Sequence, residues 1–421
     1  MISTQIAPAP IAPERWVRIM PILFITYSFA YLDRVNFAFA SAGGISQDLG
    51  LTPNMASLMA ALFFLGYFFA QIPGAMYAEH RSAKVVVFWC LVLWGILSAM
   101  TGLVSNIPSL LAVRFFLGVV EAAVFPALLI FINHWFMRKE RSLANTFVIL
   151  SSPVTIIWMS VVSGYLVHSF GWRTMFIVEG LPASLWAIVW WLAVQDRPSK
   201  ARWLRGEVSA ALEDKIAAEQ RGLKPVRNYA EAFRAPVVVR FASLYFFWGL
   251  GLFGFNLWLP SILREAGSSM IQTGWLSGMP HVITSIAMVC VSTASDRSGL
   301  RKPFVWPFLT LSALAFMVLY AFYPLPFWIS YALLTLAGVG LFAAMPTFFA
   351  ILPEYLPKSV AGSASALVNS FGALGGFVGS YLVGLASTTG NKSMSFLIMG
   401  VAMTISAVLL VTSKDSTHTA R

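Results

Sequence analysis

Twelve apolar runs of about 20 residues or more dominate the sequence, and they constrain its fold more than any other feature. A helix of that length crosses the hydrocarbon core of a bilayer. The runs therefore predict an all-α membrane protein with about twelve transmembrane helices in two six-helix halves. They lie at roughly 17–40, 54–78, 84–104, 107–135, 142–168 and 173–194, and then at roughly 237–263, 271–294, 303–323, 326–352, 359–387 and 393–412.

The composition excludes a water-soluble chain. Of the 421 residues, 58% are hydrophobic and 11% are charged, and the mean hydropathy is +0.76. Soluble domains carry roughly 25% charged residues, because a globule needs a polar exterior. The net charge of +11 is spread over short loops, so it indicates no nucleic-acid surface. Cys90 and Cys290 lie in separate apolar runs, which predicts neither a metal site nor a disulfide, and no cofactor is expected.

One long polar stretch separates the two sets of runs. It divides the chain into a first half at 1–194, a central loop at 195–235 and a second half at 236–421. Within the loop, the segment from Gly206 to Gln220 is rich in Ala, Leu, Glu and Lys, which favours an amphipathic helix at the membrane surface. Six spans, a loop and six spans are typical of transporters built from internal repeats.

The distribution of Lys and Arg predicts the orientation. With both termini in the cytoplasm, 23 of the 28 basic residues lie on the cytoplasmic side. Only Arg173, Arg264 and Lys392 then lie outside, which agrees with the positive-inside rule. We therefore expect a multi-pass protein of the cell's inner membrane.

Among the charged residues within the predicted spans of the first half, four stand out as candidates for a role in transport: Asp33, Arg34, Arg114 and Glu121. A charge near the bilayer centre costs about 2.5–3.5 kcal/mol on insertion scales, so such residues indicate function. Asp33 and Arg114 both lie about 10 Å from the outer face and could pair between helices. Glu121 follows Arg114 by seven residues, so it projects from the same helix face, about two turns deeper.

Two explanations of these charges remain open. They could neutralise one another and hold two helices together, without any transport role. Alternatively, the carboxyl groups could load and release a proton as a cavity opens to each side. Arginines stay charged and bind carboxylates through paired hydrogen bonds. Two arginines and two acids in one cavity therefore indicate an organic anion that moves together with protons.

Several uncharged polar residues could also line the pathway. Tyr31, Tyr67, Ser152, Asn256 and Asn369 all lie within predicted spans. His281, which follows Pro280, is interpreted as a packed neutral histidine. The sequence shows neither a nucleophilic triad nor a phosphate-binding loop, so we expect no enzymatic activity.

Five motifs resemble the major facilitator superfamily, and more narrowly its anion:cation symporter family, which includes phthalate, tartrate, hexuronate and sugar-acid permeases. The helix 1 and helix 4 motifs are together the most specific. The motifs are Tyr31-Leu-Asp-Arg-Val-Asn36, Gln71-Ile-Pro-Gly74, Arg114-Phe-Phe-Leu-Gly-Val-Val-Glu121 with Phe125-Pro126, Gly171-Trp-Arg-Thr-Met-Phe-Ile-Val-Glu-Gly-Leu-Pro182, and Trp258-Leu-Pro260.

The resemblance implies roles for individual residues. Asp33 and Glu121 match the family's proton-coupling acids, Arg34 matches an arginine that binds the substrate carboxylate, and Arg114 matches one coupled to the acids. Tyr31, Tyr67 and Asn369 match substrate contacts in sugar-acid carriers. The resemblance also implies a gating loop in the second half, at Asp296, Arg297, Gly299 and Arg301.

This chain departs from the family pattern at three places. The first-half copy of the loop motif lacks its acid between Gly74 and Lys84. Ser152 and Phe349 stand where related carriers have glutamine and tryptophan, which argues against a galactonate-like substrate. We therefore expect a monomeric proton symporter for a sugar acid, a hydroxy-dicarboxylate or an aromatic carboxylate. An anion exchanger or facilitator and a drug/proton antiporter are the alternatives.

Overall fold

The computed structural model describes residues 14–220, 233–355, 358–388 and 392–413, and within these ranges it is helical, with no β-strand. The first part of the chain forms α1 (Glu14–Ala42), α2 (Ile45–Asp48), α3 (Pro53–His80), α4 (Ala83–Leu103), α5 (Ile107–Glu121), α6 (Val124–Trp135), α7 (Arg138–Ala193) and α8 (Gly206–Gln220). The second part forms α9 (Pro236–Glu265), α10 (Met270–Ser298), α11 (Trp306–Ala321), α12 (Phe327–Phe342), α13 (Met345–Tyr355), α14 (Lys358–Thr388) and α15 (Lys392–Val411).

These helices confirm the prediction of about twelve spans. Ten helical stretches of the described chain are long and apolar enough to cross a membrane. One of them, Leu143–Ala193, holds two spans, because the chain turns at Gly171, whose φ of 78° suits glycine. The 29-residue helix α1 supplies the remaining span. Six spans therefore precede α8 and six follow it, while the exact domain boundaries remain a prediction.

Local sequence signals explain where several helices begin. The side chains of Thr52, Ser82 and Asn106 accept hydrogen bonds from backbone N–H groups three residues later, at 3.3, 3.1 and 2.9 Å. Ser269 and Gln272 form a reciprocal capping box at the start of α10. These caps satisfy N–H groups that have no partner within the helix.

The fourth and tenth spans are each divided at the same relative place. Helix α5 stops at Glu121 and α6 starts after Ala122 and Ala123. Likewise, α12 stops at Phe342 and α13 starts at Met345. The matching breaks agree with internal repeats, and the first break places Glu121 at a helix end.

Two seams of close packing join the two sets of spans. In one seam, α7 meets α10 at glycines: a Cβ atom added to Gly274 would lie 2.6 Å from the carbonyl oxygen of Ser160. A Cβ atom on Gly278 would lie equally close, at 2.6 Å, to the carbonyl oxygen of Ile157. In the other seam, Ser370 of α14 donates a hydrogen bond of 3.0 Å to Gln71 of α3.

The seam between α7 and α10 lies toward one face of the protein. We name the face where α1 begins the basic face, because it carries most of the Lys and Arg residues that the structure describes. Helix α10 begins at the other face, which we name the opposite face. Gly274 and Gly278 lie within three turns of that beginning, so the two sets of spans pack tightly toward the opposite face.

The described part of the central loop packs onto the first set of spans. Trp203 stacks on Trp135, with ring centroids 5.6 Å apart, and the indole N–H of Trp135 donates to the carbonyl oxygen of Gln195 at 2.8 Å. The predicted helix at 206–220 is present, and its apolar residues Leu212 and Ile216 are buried within the protein. These apolar residues are therefore not left free for a membrane surface.

Candidate functional site

Helix α5 presents a continuous buried face that carries two charged residues. Arg114 is 2% exposed and Glu121 is 1% exposed, and the buried residues of this helix recur at helical spacing. The structure therefore confirms that the two side chains share one face, as their seven-residue separation predicts. A buried arginine and a buried carboxyl group in one span are a costly arrangement, which indicates a function.

Aromatic rings surround the guanidinium group of Arg114. Its central carbon lies 3.9 Å from the ring centroid of Phe37 on α1 and 5.3 Å from that of Phe63 on α3. A cation–π contact is worth roughly 0.5–2 kcal/mol, with the larger values in desolvated sites. These contacts fix Arg114 between three helices and offset part of its burial cost.

The other charges of the predicted group lie on α1 and at the end of α5. Asp33 and Arg34 belong to helix α1, but their side chains lie outside the described residues. The predicted pairing of Asp33 with Arg114 therefore stays a prediction. Glu121 is the last residue of α5, next to the break at Ala122.

A first cavity between the two sets of spans is rich in tyrosine, and we name it the tyrosine cavity. The rings of Phe125 and Phe349, from α6 and α13, meet across it with centroids 6.3 Å apart. Hydroxyl and amide groups among aromatic faces suit a polar solute that also carries carbon–hydrogen surface. Its lining residues are Tyr27, Tyr31, Phe64, Tyr67, Phe125, Ile149, Ser152, Tyr245, Phe253, Met345, Phe349, Asn369 and Ala373.

A second cavity lies closer to the opposite face, and we name it the histidine cavity. On α1, α7 and α9 alike, its lining residues lie one to three turns nearer to that face than those of the tyrosine cavity. Tyr31, Phe64 and Phe253 line both cavities, so they separate the two. The lining residues are Tyr31, Ala38, Phe39, Phe63, Phe64, Arg114, Ile156, Ser160, Phe253, Asn256, Leu257, Leu259, Pro260, Ser277 and His281.

The structure distributes the predicted substrate-binding residues over both cavities. Tyr67, Ser152 and Asn369 line the tyrosine cavity, and Arg114 and Asn256 line the histidine cavity. Tyr31 lines both. Glu121 is not among the described residues that line either cavity. The roles of these residues remain predictions.

The predicted gating loop is only partly a loop: Asp296 and Arg297 lie in the last turn of α10, and Gly299 and Arg301 follow it. Gly299 ends the helix in the left-handed conformation, with φ at 68°, which glycine adopts without strain. Arg301 donates a hydrogen bond of 3.2 Å to the hydroxyl of Ser295, while Arg297 is exposed. The side chain of Asp296 lies outside the described residues, so a gating contact through this acid stays a prediction.

Sequence reasoning set aside or missed several residues that line the cavities. The sequence predicts a packed histidine at His281 and gives no reason to single out Ser160, Ser277, Tyr27 or Tyr245, yet all five line a cavity. Apart from one pair, their spacing along single helices carries no signal. Ser277 and His281 are four residues apart and thus share a face of α10, which is the one clue that the sequence offers. Within the described residues, no group of three His, Cys, Asp or Glu side chains could hold a metal ion.

Twelve spans with cavities between two packed sets of six define a membrane transporter, and comparison with known proteins agrees. Residues 23–380 match the Major Facilitator Superfamily, and the chain belongs to this family. It is 30% identical over 418 residues to a putative tartrate transporter of Agrobacterium vitis, covering 95% of this chain and 90% of that protein.

Two further similarities extend this comparison. The chain is 28% identical over 407 residues to a quinolone resistance transporter of Acinetobacter baumannii, covering 93% of this chain and 92% of that protein. Its fold is similar to the crystal structure of a D-xylose-proton symporter, with a TM-score of 0.76 and 15% identity, covering 95% of this chain and 98% of the other. All three proteins are transporters and not enzymes.

Proposed function

We propose that the protein is a proton-coupled symporter that imports a small organic anion across the inner membrane by alternating access. In this proposal the two sets of spans rock about the two cavities, which open in turn to each side. The protein acts as a monomer, because each set of spans within one chain supplies a wall of both cavities. The basic face is cytoplasmic, in agreement with the positive-inside rule.

One observation carries the proposal: a buried arginine and a buried carboxyl group occupy one face of α5, and the arginine lines a cavity between the two sets of spans. The guanidinium supplies a permanent positive charge in a site of low dielectric, which favours an anion as the solute. The carboxyl group of Glu121 supplies a place for a proton. The similarity to a protein named as a tartrate transporter supports an organic acid as the substrate.

The proposed cycle uses the residue roles that the family resemblance implies. Asp33 and Glu121 are protonated while the protein is open to the outside, and the substrate carboxylate binds Arg34. The two sets of spans then close over the substrate. Substrate and protons leave on the cytoplasmic side, and the empty carrier returns.

The test is accumulation of organic acids by the purified protein in liposomes, with an inward proton gradient. The variant Glu121→Gln keeps the shape of the side chain but removes the titrating group. We expect it to bind and exchange substrate while losing accumulation against a gradient. The matched control Glu207→Gln, at an exposed position on α8, should accumulate substrate normally. Accumulation by Glu121→Gln at the wild-type level would overturn the coupling role.

Two other functions have support of their own. The similarity to a quinolone resistance transporter supports drug export in exchange for protons. The buried Arg114 weighs against export of a lipophilic cation, which it would repel, but not against a drug that itself carries a carboxylate. An anion exchanger or facilitator would also use the buried arginine but would need no titrating acid. The same liposomes distinguish the three functions through the direction of flux and its dependence on the proton gradient.

A further inference from the structure

Three residues of the histidine cavity carry buried polar atoms that lack hydrogen-bond partners within the described part of the chain. These atoms are the hydroxyl oxygens of Ser160 and Ser277 and the Nε2 atom of His281. Each residue is at most 2% exposed. A buried polar group without a partner costs roughly 1–3 kcal/mol, so three in one cavity indicate a bound molecule that completes their hydrogen bonds.

The three residues come from both sets of spans. Ser160 lies on α7 in the first set, and Ser277 and His281 lie on one face of α10 in the second. The helix backbones approach closely at this point, because Gly274 packs directly against the carbonyl oxygen of Ser160. A molecule held by all three residues would therefore bridge the seam that closes the protein toward the opposite face.

The ring of His281 restricts the chemistry of this molecule. Its Nδ1 atom lies 3.2 Å from the carbonyl oxygen of Ser277. A carbonyl oxygen can only accept, so Nδ1 carries the proton in this contact. In the neutral imidazole, Nε2 then presents a lone pair, which requires a donor such as a hydroxyl group. The serine hydroxyls can both donate and accept. They can therefore donate to the oxygen of the same ligand hydroxyl group whose hydrogen is bonded to Nε2 of His281.

We propose that Ser160, Ser277 and His281 form a binding site for the hydroxyl groups of the transported organic acid. The proposal rests on the proposed function as an organic-anion carrier and narrows its substrate to hydroxylated acids, such as sugar acids and hydroxy-dicarboxylates. An aromatic carboxylate without hydroxyl groups offers no donor to the Nε2 atom of His281, although its oxygens could accept from the serine hydroxyls. Because the site spans α7 and α10, binding there also stabilises the arrangement that is closed toward the opposite face.

The experiment compares pairs of acids that differ only in their hydroxyl groups. The probes are L-tartrate against succinate and D-glucarate against adipate, with dissociation constants measured by calorimetry on the purified full-length protein. We expect the wild type to bind the hydroxylated member of at least one pair at least about tenfold more tightly than its partner. Ser277→Ala and Ser160→Ala should weaken the binding of that member about five- to tenfold and leave its partner unchanged.

Further variants separate a site from a merely structural role. His281→Leu removes the acceptor and should abolish the preference, whereas His281→Gln, whose amide oxygen also accepts, should retain part of it. Ser285→Ala is the matched control, because the Ser285 hydroxyl lies on the same helix and donates to the carbonyl oxygen of His281 at 2.8 Å. This control should keep the wild-type preference.

The possible outcomes are distinguishable. If the wild type binds none of the four acids, the proposed function fails for dicarboxylates and this inference fails with it. If it binds acids without preferring hydroxylated ones, or if the serine and histidine variants weaken both members of a pair equally, the inference is overturned and the proposed function stands. Variants that change thermal stability alone would show that the polar atoms hold only water, which also overturns the inference.

Discussion

The phenyl rings of Phe64 and Phe253 pack against each other with centroids 4.4 Å apart, one from each set of spans. Both residues line the tyrosine cavity and the histidine cavity. The pair therefore forms part of the partition between the two cavities and part of the contact between the two sets of spans. Any rocking of the sets would change this contact directly.

The first prediction concerns Gly376 of α14, which makes room for the two rings. A Cβ atom at this position would lie 2.7 Å from Phe253 Cδ2 and 3.0 Å from Phe64 Cδ1. Overpacking of this kind costs typically 1–3 kcal/mol, because the rings must leave their preferred positions. We expect Gly376→Ala to lower the melting temperature of the purified protein and to slow substrate exchange across liposomes.

Gly338→Ala is the matched control for this prediction. Its added Cβ atom would lie 3.4 Å from the ring of Phe255, which is an ordinary contact. It should melt and exchange close to the wild type. Equal effects of the two substitutions would show that the ring pair has no special role.

The second prediction concerns the shape of the Arg114 side chain. The planar guanidinium lies over Phe37 and near Phe63, and it can hold a carboxylate through two hydrogen bonds. A lysine keeps the charge but offers neither the plane nor the paired donors. We expect Arg114→Lys to lower the initial rate of uptake at least about tenfold. A decrease of that size corresponds to the loss of one or two charge-assisted hydrogen bonds to the substrate.

Arg240→Lys provides the comparison for the Arg114 variant. Arg240, near the start of α9, donates a hydrogen bond of 3.1 Å to the carbonyl oxygen of Leu409 and lines neither cavity. Its replacement should leave the uptake rate within about twofold of the wild type. Unchanged uptake by Arg114→Lys would show that only the charge at this position matters.

The sequence predicts much of this fold because hydropathy and helical spacing are local properties. Each span is long enough to be recognised alone, and the shared face of Arg114 and Glu121 follows from their seven-residue separation. The break after Glu121 also has a local cause. Pro126 has no N–H group to bond the carbonyl oxygen of Ala122, four residues earlier, and its ring crowds that carbonyl. Pro346 has the same relation to Phe342, where the matching break begins.

The site was less predictable than the fold, because a cavity is made by residues from several helices. Tyr31 and Asn369 were identified through the family resemblance, and both line the tyrosine cavity. His281 looked like a packed histidine along its own helix. In the folded protein, Ser160 of α7 and His281 of α10 line the same cavity. Spacing within one helix cannot predict that two residues from different helices lie close together.

The third prediction concerns pH and a loop at the opposite face. Trp172 and Arg173 donate hydrogen bonds of 2.8 and 3.0 Å to the same carboxylate oxygen of Asp48. The hydrogen bond from Trp172 makes the largest contribution to lowering the pKa of Asp48 below its usual value of 3.8. The hydrogen bond and the charge of Arg173 lower it further, whereas partial desolvation raises it. Because the pKa of Asp48 is lower in the folded state than in the unfolded state, its ionised carboxylate stabilises the folded protein at pH values above the unfolded-state pKa. This contribution disappears as the pH falls through the pKa of the folded state.

We therefore expect Asp48→Asn to melt at a lower temperature than the wild type at pH 7. The difference should shrink below about pH 3.8 as the wild-type carboxylate becomes protonated. Trp172→Phe keeps an aromatic ring but removes the donor, so it should reproduce part of the effect. Melting temperatures measured between pH 7 and pH 3 in detergent test this, and a difference that does not depend on pH would contradict it.

The fourth prediction concerns an ion pair at the basic face. Arg15, which is 2% exposed, pairs with Glu140 and donates a hydrogen bond of 2.8 Å to the carbonyl oxygen of Trp135. Glu140 also accepts a hydrogen bond of 3.0 Å from the backbone N–H of Met137 and so caps α7. The pair therefore ties the start of α1 to the start of α7.

Arg15 is more deeply buried than Glu140, so replacing each of them should destabilise the protein to a different extent. Glu140→Gln leaves the Arg15 charge buried without its counter-ion, and removing one partner of a buried pair costs about 3–5 kcal/mol. Because the Glu140 side chain is 23% exposed, water screens part of the interaction between the two charges. We therefore expect the loss of stability to fall toward the lower end of that range. Arg15→Met leaves only the more exposed acid, so it should cost less.

The double variant Arg15→Met/Glu140→Gln should be more stable than Glu140→Gln alone, because no unpaired charge stays buried. Denaturant unfolding of the wild type, both single variants and the double variant gives the coupling energy. Arg18→Met serves as the control: Arg18 is exposed and lies 5.1 Å from the ring of Trp203, so its loss should change stability by less than about 1 kcal/mol. If the effects of the two single variants simply add in the double variant, the pair does not couple α1 to α7.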